Sequence, residues 1–598
     1  MIAYFKLSNS IKSKHEAADL ARLELESLLG QAAKIQTVNN FIEEFAQEPL
    51  RAFINGSPNR FQDVVAYELP YGRIQGYKTE LDNFPVPKLA RRLAYTREIY
   101  IVDSGSEPDV LLSRIFPCGK KDMNVETYKA DGYVLLRVIV NQYYLEKSQY
   151  VSKLSRNEQE IESNASVLLH YPISEIYRIP ASSTLSVGKR LQDYFAIREE
   201  PSLYLTHYMH PYKGKFHPRM ARALLNIVMP QDDGLVMDNF AGSGTLLVEA
   251  SLMGLKSVGV EINPLSVLMS KVKCECLFLS IKELRRIVAD YINRLRDQGT
   301  LLAKEPEPTY EVRSVDEVRL ERYMAGFSRL APSIRAAQRL LPGKHGDPYH
   351  DFLLLALSGT ISDMTRRTSV DFVQAFENRV LNLYRRICLF KALNKTLGIV
   401  PARSMAYVGD ARSLPKSIEP GTIAAIVNSP PYSVALDYIK NDFPQLVLLK
   451  LANSINRLER DMMGNPRVNY DRHDIMKRME SDTDNPLKIS QKADISVSLL
   501  MEAGRLKEAF RCFKFFDDML AALKEMHRSL EPSGRAAVVI GRNNFKVNGK
   551  YHNVPNDDII EQLAAEVGLN TYCRIDRELQ KTSAGNIRKE AILFLKKS

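Results

Sequence analysis

Short apolar runs alternate along this chain with stretches of helical spacing, and that alternation predicts most of its elements. Ile2–Leu7 reads as a strand, and Glu16–Leu29 as a helix with Ala18, Leu20, Leu25 and Leu28 among its apolar positions, ended by Gly30. Val64–Leu69 reads as a strand, Pro87–Thr96 as the start of a helix, and Glu98–Val102 as another strand. The basic pair Arg91-Arg92 in that helix reads as a solvated face. Tyr133–Val140 is a strand, and Tyr143, Tyr144 and Tyr150 after it read as packing aromatics, although rings beside basic residues can also stack on bases. Leu235–Met237 is a short apolar run, Leu246–Leu252 has helical character stopped by Gly254, and Ser257–Val260 opens a second strand.

Downstream, Ile281–Leu302 is a charged amphipathic helix, and the pattern stays helical to Ile399. Strands return at Ala406–Asp410, Ala424–Asn428, Arg535–Ile540 and Ala591–Phe594, with a helix at Phe516–Leu530. Helices alternating with short apolar strands predict an α/β fold with a doubly wound sheet. A sheet of this kind does not need about 100 helical residues between successive strands, so residues about 281–400 read as an insertion. A second excursion, about 453–502, is rich in Arg, Lys, Asp and Asn. The expected organisation is a small α+β (ferredoxin-like) domain at 1–103, a second small α+β domain at 104–195, and one α/β catalytic domain at 196–598.

Composition narrows the classes. A length of 598 residues fits about two to four domains, and 45% hydrophobic residues is ordinary for a globular protein. The net charge of +11 favours a polyanionic partner. The six cysteines, Cys118, Cys274, Cys276, Cys388, Cys512 and Cys573, form no CxxC pair, which argues against a zinc ribbon or a disulfide framework. They read as reduced residues of a cytoplasmic protein. The first residues lack the apolar core of a signal peptide, and no apolar run is long enough for a membrane span.

The chemistry concentrates in two stretches. Gly234–Pro264 reads as strand, glycine-rich turn, helix and strand, a βαβ unit of about 30 residues that fingerprints a nucleoside cofactor. Its turn, Asp238-Asn239-Phe240-Ala241-Gly242-Ser243-Gly244-Thr245, uses glycines where a Cβ would collide with a ligand, and Glu261 is placed to accept from ribose hydroxyls. The second stretch is Asn428-Ser429-Pro430-Pro431-Tyr432. Ser186–Arg190 resembles part of a phosphate loop but lacks its first Gly, which sets aside an ATPase.

Taken together, DNFAGSGT, Glu261, VGDARSLP and NSPPY resemble the AdoMet-dependent amino-methyltransferases of the cytosine-N4 and adenine-N6 type. The resemblance covers most of 196–598 outside the helical insertion, and it implies a class I (Rossmann-like) methyltransferase sheet. It implies that Asp238–Thr245 wrap the methionine end of AdoMet, with Asp238 on the amino group. Glu261 would hold the ribose, Asp410 would accept from the adenine amine beside Ala411, and Asn263 would shape the adenine pocket. His210–Pro218 (HPYKGKFHP) resembles the segment closing over the methionine carboxylate, where Lys213 or Lys215 would supply charge. In NSPPY, the Ser429 hydroxyl and Pro430 carbonyl would accept from a base amine, the two prolines would fix the loop, and Tyr432 would stack on a flipped base. No metal is required.

Ser429 in place of Asp leans towards cytosine N4, with overlap between Ser and Asp enzymes. SVALDYIKND and the following MMGNP resemble long N4 DNA methyltransferases, and the motif order excludes the permuted arrangement with SPPY first. A carbon-5 mechanism would use a Pro-Cys dipeptide, and Pro117-Cys118 lies far upstream. Residues 1–195, through LARLELESLLG and ARRLAYTREIYIV, also resemble tRNA methyltransferases that carry ferredoxin-like and THUMP domains. The leading expectation is therefore a DNA N4-cytosine methyltransferase. Its rival is a tRNA or rRNA base-amine methyltransferase, and the third reading is an inactive nucleic-acid-binding protein.

Overall fold

The computed structural model describes residues 1–8, 16–30, 33–56, 73–117, 125–170, 204–302, 315–323, 327–365, 371–433, 438–464, 490–547, 550–578 and 589–598. The strand expected at Val64–Leu69, the segment Ser186–Arg190, the expected boundary at 195 and half of the basic excursion lie outside the described residues.

The N-terminal part is one antiparallel sheet. Its strands are β1 (Ile2–Leu7), β2 (Gln36–Val38), β3 (Gly76–Glu80), β4 (Thr96–Ser104), β5 (Val125–Ala130) and β6 (Tyr133–Ile139), in the order β2-β3-β1-β4-β6-β5. The β5–β6 hairpin closes on Asp131-Gly132, both at positive φ, as a two-residue turn matching the strand twist requires. The domain boundary expected at 103/104 does not divide this sheet. β4 runs through it and pairs with β6 from Glu98↔Ile139 to Ser104↔Tyr133, so strands on both sides of the boundary share one hydrogen-bond ladder.

This sheet is docked onto the rest of the molecule by a buried arginine. Arg92, expected on a solvated face, is fully buried. Its guanidinium donates to the carbonyls of Met229, Pro230 (3.0 Å) and Gln231 (2.7 Å) and to Asn226 Oδ1 (3.0 Å). These groups lie at the C-terminal end of the Pro218–Val228 helix, where backbone carbonyls lack helical partners. A planar fork with five donors meets that need, and this overrides the tendency of arginine to stay in water. Glu24 completes the joint, accepting from Asn226 Nδ2 (2.6 Å) and the amides of Ala94 (3.0 Å) and Tyr95 (3.2 Å).

The second sheet contains β7 (Leu235–Asp238), β8 (Lys256–Glu261), β9 (Ser404–Val408), β10 (Ile423–Asn428) and β11 (Leu530–Gly541), all pairing in parallel. A separate hairpin, β12 (Asn543–Val547) and β13 (Lys550–Val554), precedes β14 (Leu569–Glu578) and β15 (Lys589–Lys597). The order is β14-β15-β11-β10-β7-β8-β9, with β15 antiparallel between β11 and β14. From β7 the chain winds outward through β8 and β9, then returns to place β10 on the other side. That makes the β7/β10 junction a topological switch point, the place where open α/β sheets bind ligands. The helices Ile281–Leu302, Val315–Tyr323, Phe327–Arg339, Pro348–Met364 and Phe372–Thr396 intervene between β8 and β9. Pro348–Met364 is buried nearly all round, and it is the apolar centre of that bundle. Among the described residues no helix is long and apolar enough to cross a membrane.

Candidate active site

A pocket lies outside the C-terminal ends of β7, β8, β9 and β10, and it gathers residues widely separated in sequence. Asp238, Phe240, Ala241, Gly242, Ser243 and Thr245 line it from the first turn, Glu261 from the end of β8, and Asp410 and Ala411 from the loop after β9. Ser429 and Pro431 line it from the end of β10, and Lys215 from the HPYKGKF loop. β7 and β10 pair directly, which is why the glycine turn and NSPPY share one cavity.

The glycine turn is held from several sides. Gly242 and Gly244 sit at φ 49° and 74°, in the left-handed region. A Cβ on Gly244 would lie 2.7 Å from Ser270 Oγ, so glycine there lets the turn settle against the Pro264–Glu275 helix. Ser270 Oγ donates to Gly242 O (3.0 Å), and Lys273 Nζ to Ser243 O (2.5 Å). Lys273 is fully buried, and burial holds its ammonium well below the usual lysine range. Glu261 clamps the turn's upper edge, accepting from Gly242 N and Asn263 N, each at 2.9 Å. Burial raises the Glu261 carboxyl, and burial with the nearby Glu261 charge pushes Asp238 up to about 8. Asp238 also accepts from Phe240 N at 3.0 Å.

Residues 207–298 match the UPF0020 family profile, described as an RMKL-like methyltransferase domain. The chain carries an AdoMet-dependent methyltransferase domain. The type II methyltransferase M.MvaI of Kocuria varians is 24% identical over 60% of this chain and 81% of its own length. M.MjaII, a type II methyltransferase of Methanocaldococcus jannaschii, is 36% identical over 15% of this chain, and the match spans only 17% of that protein. The tRNA (guanine(10)-N2)-dimethyltransferase of the same organism is 31% identical over 17% of this chain and 29% of its own length.

The residues of the methyltransferase pocket fit AdoMet. Three acids, Asp238, Glu261 and Asp410, end or follow three neighbouring strands around a turn that tolerates no Cβ at Gly244. Glu261 uses two of a carboxylate's roughly four acceptor positions, which leaves capacity for ribose hydroxyls. Asp410 is gripped by Arg412, whose guanidinium donates to both of its oxygens (2.6–3.1 Å) and continues to Asp518 (2.9 Å) and the Asp461 carbonyl (2.7 Å). That fixes the carboxylate's orientation and ties the loop after β9 to the segment that follows NSPPY.

Several expected residues do other work in this domain. Asn263 does not line the pocket. It is buried, caps the Pro264–Glu275 helix through Leu265 N (3.0 Å), and donates to Asp442 (2.8 Å), whose carboxyl burial pushes up to about 7. Lys215 reaches the pocket, but its ammonium donates to the carbonyls of His207 (2.7 Å) and His210 (2.8 Å), so it braces its own loop. Burial lowers it to about 8. Lys213 is exposed and does not line the pocket. Pro430 is buried behind the wall formed by Ser429 and Pro431. Asn428 lies beneath, donating to Asn239 Oδ1 (2.6 Å) and so joining the two motif loops. Tyr432 does not line the pocket, and its hydroxyl donates to Glu590 of β15 (2.7 Å).

Sequence reasoning passed over Ile262, Asp461, Met462 and Met463 as pocket walls and gave Tyr212, Phe216 and Asn239 no role of their own within the segments expected to cover AdoMet. Asn239 and Tyr212 fall inside quoted motifs, and Met462-Met463 open MMGNP, so their positions carried a signal. Lys273 carried none, because a lysine at helical spacing reads as solvated.

Proposed function

We propose that this protein methylates an exocyclic amine of a nucleic-acid base, with cytosine N4 of DNA the favoured target. One observation carries the reading: Ser429 and Pro431 of NSPPY line the same pocket as the glycine turn, Glu261 and Asp410. Bound AdoMet supplies an electrophilic methyl group. The protein's task is to make a poor nucleophile attack it, because the lone pair of a base amine is delocalised into the ring. The Ser429 hydroxyl and the Pro430 carbonyl accept from the two amine hydrogens. This favours a pyramidal nitrogen with its lone pair free. Pro430 and Pro431 hold those acceptors in place before the base arrives, so little reorganisation is needed in the transition state. Tyr432, with its hydroxyl on Glu590, offers a ring face to a base flipped out of its stack.

DNA is favoured over RNA on two grounds. M.MvaI, a type II methyltransferase, aligns over most of its length. The described N-terminal strands also form a single sheet and not two successive small modules. The second reading, a tRNA base amine, is supported by the shorter match to a tRNA (guanine(10)-N2)-dimethyltransferase. Incubation with labelled AdoMet and either genomic DNA or total RNA separates the two, and mass spectrometry of digested nucleosides identifies the methylated atom. Label in DNA as N4-methylcytosine is expected. Label in RNA alone would reverse the choice of polymer, and a methyl on carbon would remove the amine mechanism.

A further inference from the structure

We propose that His345, His350 and Asp351 form a binding site for a divalent transition metal, zinc by donor set, at the foot of the Pro348–Met364 helix. One donor atom from each residue converges within 4.8 Å of the others. Asp351 Oδ1 lies 2.8 Å from His345 Nδ1 and 3.1 Å from His350 Nδ1. Tetrahedral zinc with bonds near 2.0 Å sets its ligands about 3.3 Å apart, so a small outward relaxation of these atoms admits the ion. Two imidazoles and one carboxylate leave a fourth position for water, and His345 is exposed, which gives a path from solvent.

A second observation points to a missing cation. Asp351 is fully buried and its Oδ2 has no hydrogen-bond partner. Its other oxygen accepts only uncharged or titratable donors, the two imidazoles and the Gly346 amide (3.2 Å). Glu275 adds another buried carboxylate oxygen without a partner, and it is raised by burial and by the charges of Asp351 and Asp347. A buried carboxylate oxygen left unpaired is costly, and a bound cation removes that cost.

On binding, each imidazole presents a bare Nδ1 and carries its proton on Nε2, and any histidinium gives its extra proton to solvent. None of the three ligands lines the methyl-transfer pocket. Glu275 ends the Pro264–Glu275 helix, and Ser270 and Lys273 of the same helix hold the glycine turn. The metal's effect falls on the insertion. The Pro348–Met364 helix carries Ser358, which bonds His210 Nε2 (2.9 Å) in the HPYKGKF loop.

The test uses the full chain without a polyhistidine tag. After equilibration with micromolar ZnCl2 and dialysis, elemental analysis should find about one zinc per chain. ZnCl2 should raise the melting temperature, and EDTA should reverse the rise. H345N, at an exposed position that leaves the fold intact, and H350N should each weaken zinc binding by tenfold or more. AdoMet affinity, read by calorimetry, should be unchanged in both. Wild-type protein that retains no zinc, or zinc content equal in wild type and H345N, overturns the proposal. Either result leaves the methyl-transfer reading untouched, because neither touches the pocket.

Discussion

Ser429 stands at the end of β10 with its side chain on the pocket wall, and its hydroxyl is the group whose loss should be most selective. Ser429→Ala is expected to lower the single-turnover rate by about 10²-fold, the usual effect of removing one preorganised transition-state contact. AdoMet affinity should hold, since the cofactor-side residues are untouched; an unchanged rate would take Ser429 out of the mechanism. Asp238 should show itself through pH. Its carboxyl rises from the ordinary 3.8 to about 8 in the folded chain. A carboxyl whose pKa is raised by folding stabilises the fold below its unfolded value, and that contribution disappears as pH climbs through the folded value. Cofactor-free protein should therefore lose stability between about pH 4 and pH 8, and Asp238→Asn should flatten that slope in urea melts. The cationic amino group of AdoMet favours the ionised acid. Calorimetry near pH 7 in buffers of different ionisation enthalpy should thus report proton release on AdoMet binding, diminished in Asp238→Asn.

At the level of elements, Arg92 joins the N-terminal sheet to the end of the Pro218–Val228 helix. It satisfies the carbonyl end of the Pro218–Val228 helix, and its loss takes the donor from the buried Met229 carbonyl and Asn226 Oδ1 and from the more open Pro230 and Gln231 carbonyls. Arg92→Ala should destabilise the protein by roughly 3 kcal/mol, read as a lowered urea midpoint, and Arg92→Lys should recover only part, lacking the planar fork. Sequence reading missed this because an arginine pair on a short helix looks the same whether it faces water or a neighbouring helix end. The strands β7, β8, β10 and β15 were legible because each packs on both faces and reads as an apolar run. β14 was not. It is an edge strand, and LNTYCRIDRE interleaves its buried Leu569 and Ile575 with charges. The site followed the same rule. Residues whose backbone or acid group must meet a ligand announced themselves in motifs, whereas Lys273 acts by tertiary contact with no local signature.

The whole molecule should unfold as one unit through its N-terminal sheet and methyltransferase sheet. The buried side chains Leu20 and Leu25 of the Glu16–Leu29 helix, and Leu89 before Arg92, share one apolar core with Leu224, Val236, Val427 and Phe594. A second connection is polar. Arg219 pairs with Glu146 of the Asn141–Leu154 helix (Nε to Oε1, 2.7 Å). Tyr204, which meets Gln142 of that helix (3.2 Å), donates to Glu249 (2.6 Å), and Glu249 also holds His207 (2.8 Å) and Arg222 (2.8 Å). Glu249 lies on the helix that opens at the glycine turn, so this network runs from the N-terminal region to the back of the cofactor site. Removing residues 1–140 would strip one face of the Pro218–Val228 helix and expose a large apolar surface that aggregates. Calorimetry of the intact chain should show these two sheets melting together, and AdoMet should raise that transition's temperature by mass action. A truncated chain beginning at residue 141 should fail to bind AdoMet. If that truncated chain stayed soluble, bound AdoMet with unchanged affinity and melted cooperatively, the shared core would not be needed to hold the site.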